Sequence, residues 1–277
     1  MFFRLYQEGD SFLHRVNPVI KFIALFLLTL VPTFYLDPEV PAVFLILALA
    51  MAWGLGGMSP RIMARRLIPM LLLALGLALS STLFYGGTQA HPLFALGPLR
   101  ISAEALSFGL SMGLRILCVV SYSALFMFTT DPTVLVYSLI QQAHLNYRLG
   151  YTVLAAYRFL PILQREMANI SAAHSVRAAY SRGSPTAGLE RALRYGVPLL
   201  ANGVRQAERL AVAMDARGFS SPIARTYYIE TRLTAADWLF LVGVLLITVV
   251  LLVALAHFGL LRGFLMGLSD TIYGGQP

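Results

Sequence analysis

The chain has 277 residues, 58% of them hydrophobic and 12% charged, with a net charge of +8 and a mean hydropathy of +0.71. Water-soluble domains carry about 45–50% apolar and about 25% charged residues, so half the usual charge cannot cover the surface of a soluble fold of this size. An ordinary cytosolic enzyme and a disordered chain are thereby excluded, and Cys118, the only cysteine, excludes an internal disulfide scaffold.

Five stretches meet or approach the roughly 20 apolar residues that a helix needs to cross a bilayer. In chain order they are Val19–Leu36, with Lys21 near its start, Val40–Met58 and Leu67–Tyr85, both uncharged, Ala105–Phe128, with Arg115 inside it, and Trp238–Phe258. The first is too long for the apolar part of a signal peptide, and no small-residue cleavage site follows it. Basic residues orient the set. With the N-terminus inside, the inner side collects Arg4, Arg15, Lys21, Arg61, Arg65, Arg66 and all twelve arginines between the fourth and fifth spans, while only Arg100 and Arg262 lie outside. The expected organisation is an N-terminal membrane region over residues 1–128, a cytoplasmic segment over 129–236, and a last span with its tail over 237–277, the tail outside.

The cytoplasmic segment carries most of the charge. From Pro132 to Ala236 it holds twelve arginines against five acids: Glu166, Glu190, Glu208, Asp215 and Glu230. It is nonetheless patterned for helices. Apolar residues recur at helical spacing through Leu154, Ala155, Phe159, Ile162 and Leu163, and again through Leu199, Leu200, Val204, Ala207, Leu210, Ala211 and Met214. Gly183, Ser184 and Pro185 predict a break between two helical segments, and Pro161 and Pro198 predict kinks or local boundaries within them. The repeated arginines make these segments poor spans. The expected fold is therefore all-α: about five transmembrane helices, with long amphipathic helices on the cytoplasmic side between the fourth and fifth. Their arginine faces turn to water, lipid head groups or a partner.

Enzyme chemistry finds little support. The only lysine, Lys21, follows Ile20, whereas a phosphate-binding P-loop needs glycine directly before its lysine, so the chain carries no such loop. The five histidines are scattered, no H-E-x-x-H pair occurs, and no span contains an acid, so neither a metal site nor intramembrane acid catalysis is expected. Arg115 is the exceptional group. An ionisable residue in mid-span is a functional candidate with a partner expected, and its plain alternative is a structural arginine capped by backbone carbonyls or by the region of Glu104. Gly109 and Gly113, a G-x-x-x-G on the same span, predict close approach of another helix.

Two short sequences in the cytoplasmic segment look alike. Ser175-Val176-Arg177-Ala178-Ala179 ends the first helical stretch and Asp215-Ala216-Arg217-Gly218-Phe219 ends the second, forty residues on. Each sets one arginine among small or short apolar neighbours, which lets backbone approach a partner while a planar guanidinium fork reaches a carboxylate. A solvated arginine gaining from the helix macrodipole is the plainer account of the same pattern. Gly218 is expected to serve as a helix C-terminal residue.

These motifs, with Ser11-Phe12-Leu13-His14-Arg15-Val16-Asn17-Pro18 leading to Lys21, Thr130-Asp131-Pro132 after the fourth span, and Tyr157-Arg158-Phe159-Leu160-Pro161 with Glu166, resemble the transmembrane T component of energy-coupling factor (ECF) transporters, including the cobalt-transport Q proteins. The resemblance covers most of the chain. It implies a non-enzymatic scaffold that couples ATP hydrolysis to vitamin or transition-metal uptake. Two P-loop ATPase subunits would bind ATP and Mg, and a small membrane-embedded substrate-binding (S) subunit would ride on the coupling helices. Carried over, Arg177 and Arg217 are the ATPase contacts, with Val176, Ala178, Ala216 and Gly218 packing beside them. The second site has the family's Ala-Arg-Gly form, whereas the first reads Val-Arg-Ala and departs from it. The alternatives are a self-contained carrier or channel, which lacks a visible inverted repeat, and a polytopic membrane enzyme. Nucleic acid is not an expected partner, because the arginine-rich segment is threaded between two spans.

Overall fold

The computed structural model describes residues 9–58, 60–85, 92–96, 99–178, 187–221, 227 and 229–258. The chain divides into two compact units, one formed by Met1–Ala143 with Thr231–Pro277 and the other by His144–Glu230.

The first unit contains α1 (Phe12–Arg15), α2 (Pro18–Leu30) running into a 3-10 turn (Val31–Phe34), α3 (Glu39–Gly54), α4 (Pro60–Leu83), β1 (Pro92–Leu96), β2 (Leu99–Ser102), α5 (Ala103–Thr129), α6 (Pro132–Gln142) and α9 (Ala235–His257). All five apolar stretches fall on helices, the one form besides a closed barrel in which a chain satisfies its own backbone in lipid. α5 and α9 are long and apolar enough to cross a membrane, whereas Pro18–Phe34, Glu39–Gly54 and Leu67–Leu83 are shorter apolar helices. Leu13, Ala24, Leu28, Phe44, Ala48, Cys118, Tyr122 and Leu125 form the core between α1, α2, α3 and α5. Outward-facing apolar residues are abundant: Leu72 on α4 is 71% exposed and Leu239 on α9 is 73% exposed. Apolar exposure on this scale marks a surface made for lipid or protein.

α5 is the organising helix. Ser111 Oγ donates to the Asp37 carbonyl (3.4 Å), Arg115 Nη2 to the Tyr35 carbonyl (2.6 Å), Cys118 Sγ to the Pro41 carbonyl (2.9 Å) and Tyr122 Oη to the Phe44 carbonyl (2.8 Å). Their spacing of four, three and four places all four donors on one helical face. Pro41 has no N–H to offer the Asp37 carbonyl one turn back, and the Ser111 hydroxyl reaches it instead.

The opposite contact of α5 rests on glycine. A Cβ at Gly109 would sit 2.0 Å from Thr82 Oγ1 and 2.5 Å from the Ala78 carbonyl oxygen, and one at Gly113 would lie 3.0 Å from the Ala74 carbonyl. The G-x-x-x-G spacing thus brings α5 against the backbone of α4. Gly109→Leu is expected to destabilise the unit by about 3 kcal/mol or more, the upper range for overpacking, because backbone cannot yield as a side-chain tip does. Thermal unfolding in detergent checks this. Gly113→Ala, whose added methyl meets a milder contact, should fall less, and an unchanged midpoint for Gly109→Leu contradicts the packing account.

Two further elements lie outside the apolar stretches and the arginine-rich helices. β1 and β2 pair antiparallel, with Leu96 opposite Leu99, and form a short hairpin before α5. Ser102 then caps α5, its Oγ accepting from Ala105 N–H at 3.1 Å. α6 is capped by Asp131, whose Oδ1 accepts from Thr133 N–H at 2.7 Å, and it buries Val136, Ser138 and Ile140 inside the first unit. The second compact unit begins just after it, at His144.

The second unit is an antiparallel pair, α7 (Tyr147–Ala178) and α8 (Ala187–Ala216). Tyr147 and Tyr151 meet Phe219 with ring centroids 5.7 and 5.9 Å apart, Asn202 Nδ2 donates to Glu166 Oε1 at 2.5 Å, and His174 meets Tyr195 at 5.1 Å. Pro161 and Pro198 are accommodated inside continuous helices and are not helix ends. The predicted break at Gly183, Ser184 and Pro185 lies outside the described residues.

Candidate functional site

The second arginine motif occupies a fully defined helix terminus. The Gly218 N–H donates to the Asp215 carbonyl (2.9 Å) and the Phe219 N–H to the Met214 carbonyl (3.0 Å). This paired pattern is the Schellman motif, with Arg217 as C-cap and Gly218 just beyond it. Gly218 has φ +77°, a left-handed conformation that costs a residue with a Cβ roughly 1–2 kcal/mol. Ser220 Oγ donates to Asp215 Oδ1 (2.7 Å), and Phe219 is gripped by Tyr147 and Tyr151 from the start of α7. A rigid base thus presents Ala216, Arg217 and Gly218, all exposed.

The first motif ends α7. Val176 is 70% exposed, while Arg177 and Ala178 are the last two helical residues, their side chains outside the described set. The His174–Tyr195 contact sets this end of α7 against the first turns of α8. Roughly 35–40 Å of helix then separates Arg177 from Arg217, at 1.5 Å per residue. The motifs are not brought together. They sit at opposite ends of one hairpin, each at a helix C-terminus.

Between them α8 presents an apolar row that the sequence pattern only partly reveals. Leu193, Val197, Leu200 and Val204 repeat at four, three and four residues, and Val197 and Leu200 are 62% and 70% exposed. Leu200 and Val204 belong to the expected apolar face, but that face is not consumed by packing within the unit. On the polar side Arg205 donates to Asn202 Oδ1, which links it to the Asn202–Glu166 bond.

Arg115, the intramembrane candidate, has a backbone partner. Its Nη2 holds the Tyr35 carbonyl at 2.6 Å, its Nη1 lies 3.5 Å from Met112 Sδ, and its Nε makes no hydrogen bond. No acid joins it among the described residues, and the arrangement pins α5 to the end of the 3-10 turn. Among the described residues, no three His, Cys, Asp or Glu side chains are grouped as metal ligands would be.

A polar cluster at one end of the first unit was not foreseen from the sequence. Lys21 is 1% exposed, and its Nζ donates to the Thr129 carbonyl (3.0 Å) and Thr130 Oγ1 (3.2 Å). Asp237 is also buried. Asp237 Oδ1 accepts from the Asn17 N–H (2.7 Å), and Oδ2 closes a capping box with Thr234 N–H and Oγ1 (2.7 and 2.8 Å). The Asn17–Asp237 contact spans 220 residues of sequence, so no local signal announces it.

An apolar helical unit joined to an arginine-bearing helical hairpin is the architecture of a membrane protein with a polar helical extension. Residues 9–228 match the family model CbiQ, cobalt transport protein, and the chain belongs to that family. It is 30% identical over 246 residues to the energy-coupling factor transporter transmembrane protein EcfT of Thermosediminibacter oceani, covering 84% of this chain and 89% of that one. It is 26% identical over 264 residues to EcfT of Streptococcus thermophilus, covering 89% and 95%. It is also 27% identical over 247 residues to a putative ABC transporter ATP-binding protein of Bifidobacterium longum, covering 86% of this chain and 31% of that longer protein.

Proposed function

We propose that this chain is the transmembrane coupling subunit of an ECF-type importer, with five spans and with its N-terminus and the α7–α8 hairpin in the cytoplasm. Two P-loop ATPase subunits, which bind ATP and Mg, dock at Arg177 and Arg217. A small membrane-embedded S subunit selects a vitamin or a transition-metal ion and rests on the apolar row of the hairpin. The observation that carries this reading is the Schellman-capped tip at Arg217 on the same rigid hairpin as Arg177, far enough apart for two separate partners. A chain without a P-loop must borrow its ATPase, and the similarity to a longer protein named as an ATP-binding protein supports an ABC-type partner. Purification of the tagged chain from its native membrane tests the proposal. An ATP-hydrolysing P-loop subunit should copurify, and the chain purifying alone from membranes that contain such subunits contradicts it.

A further inference from the structure

The chain passes between its two units twice, after Ala143 and before Thr231. On the membrane-unit side both passages are tied to each other by consecutive glutamines at the end of α6. Gln141 Oε1 accepts from the Thr231 N–H (2.9 Å) and the Thr231 hydroxyl (3.1 Å), while Gln142 Nε2 donates to the Thr231 carbonyl (3.0 Å). Both backbone groups of one residue are therefore held by side chains, in a segment without regular structure of its own.

This clamp closes a ring. Three residues past Thr231, Thr234 begins the capping box of α9 with Asp237, which holds Asn17 at the start of α2. One turn along α2, Lys21 holds Thr129 and Thr130 at the end of α5, where Asp131 starts α6. α6 then returns to the glutamines. Every link is a hydrogen bond to or from backbone or a cap, so the starts of α2, α6 and α9 and the end of α5 form one frame around the two passages.

We infer that Gln141 and Gln142 are positioning residues for coupled transport. The clamp makes the two passages move as one, so a displacement of the hairpin reaches α2, α5 and α9 together instead of being absorbed by a slack segment. Energetic coupling between distant sites requires such packed or hydrogen-bonded connections with defined arrangements. The inference rests on the coupling-subunit reading above.

The test uses the complex purified with its ATPase partners, in which Cys118→Ser removes the native thiol. Spin labels are placed at Leu36→Cys, just past the 3-10 turn that follows α2, and at Phe258→Cys, at the C-terminal end of α9. ATP with vanadate should shift the label distance in this background. Gln141→Ala with Gln142→Ala should abolish most of that shift while hydrolysis stays within about twofold, because coupling and not catalysis is cut. The chemistry of the clamp supplies a second comparison at a single site. Gln142 donates to the Thr231 carbonyl through Nε2, so Gln142→Glu, nearly isosteric but without that donor when ionised, should lose the shift. A full shift in the double alanine variant overturns the inference. So does a full shift in Gln142→Glu, which also decides the matter where the double variant fails to assemble. Hydrolysing complex with no shift before mutation overturns it as well, while absence of any ATPase partner overturns the coupling-subunit reading itself.

Discussion

Arg217→Ala is expected to weaken association with an ATPase subunit by about 2–5 kcal/mol, the usual cost of truncating one partner of a buried, hydrogen-bonded charge pair. At 1.4 kcal/mol per decade this is about 30- to 4,000-fold in Kd. The hairpin itself should hardly notice. Arg217 is exposed, and the cap that shapes its surroundings is made by the backbone of Asp215, Met214, Gly218 and Phe219. Removing a cation from a helix C-terminus costs only about 0.3–1 kcal/mol. Arg217→Lys should recover part of the affinity, because it keeps the charge and loses the planar fork. Arg209→Ala is the control: Arg209 is exposed on the same helix two turns before the tip, and its Nε donates to the Arg205 carbonyl. Titration of the purified ATPase onto the chain in nanodiscs measures all three. Equal losses for Arg209→Ala and Arg217→Ala would reduce the motif to one part of a general basic surface.

The second large effect is expected at Asp237. Asp237→Ala strips the Asn17 N–H and the Thr234 N–H and hydroxyl of their acceptor. A buried donor left without its acceptor typically costs about 1–3 kcal/mol. Asp237→Asn should cost less, since an asparagine oxygen still accepts from the cap positions. Lys21→Met, which removes the bonds to Thr129 and Thr130 instead, shares no hydrogen-bond partner with Asp237→Asn, so the two losses should be close to additive. Unfolding midpoints in detergent and yields of inserted protein report it. An unchanged midpoint for Asp237→Ala would contradict it.

Much of this architecture is legible in the amino-acid pattern, because a bilayer leaves the backbone few choices. Each apolar stretch had to be helical, and the glycines at 109 and 113 announced a close helix contact that α4 supplies. Gly218 was legible as a helix end for a local reason, the need for a left-handed residue. What escaped was set by contacts between distant segments or by short elements. β1 and β2 are five and four residues long, too short to show a period. α6 has eleven residues and a narrow buried stripe, which merges with the polar segment after it. Lys21 looked like a basic residue flanking a span, free to snorkel to the interface, yet Thr129 and Thr130, more than a hundred residues away, bury it. Arg115 stood out as a charge in an apolar run, but its carbonyl partner at Tyr35, 80 residues away, carries no side-chain signature. The apolar row on α8 was half visible, since periodicity finds an apolar face without saying whether the fold itself covers it.

The central claim is that one chain grips two ATPase subunits through two separate arginine tips. Native mass spectrometry of the detergent-solubilised complex measures this directly. The account predicts two ATPase copies per chain, one copy retained in Arg177→Ala and in Arg217→Ala alike, and none in the double variant. Two copies retained in the double variant would contradict it.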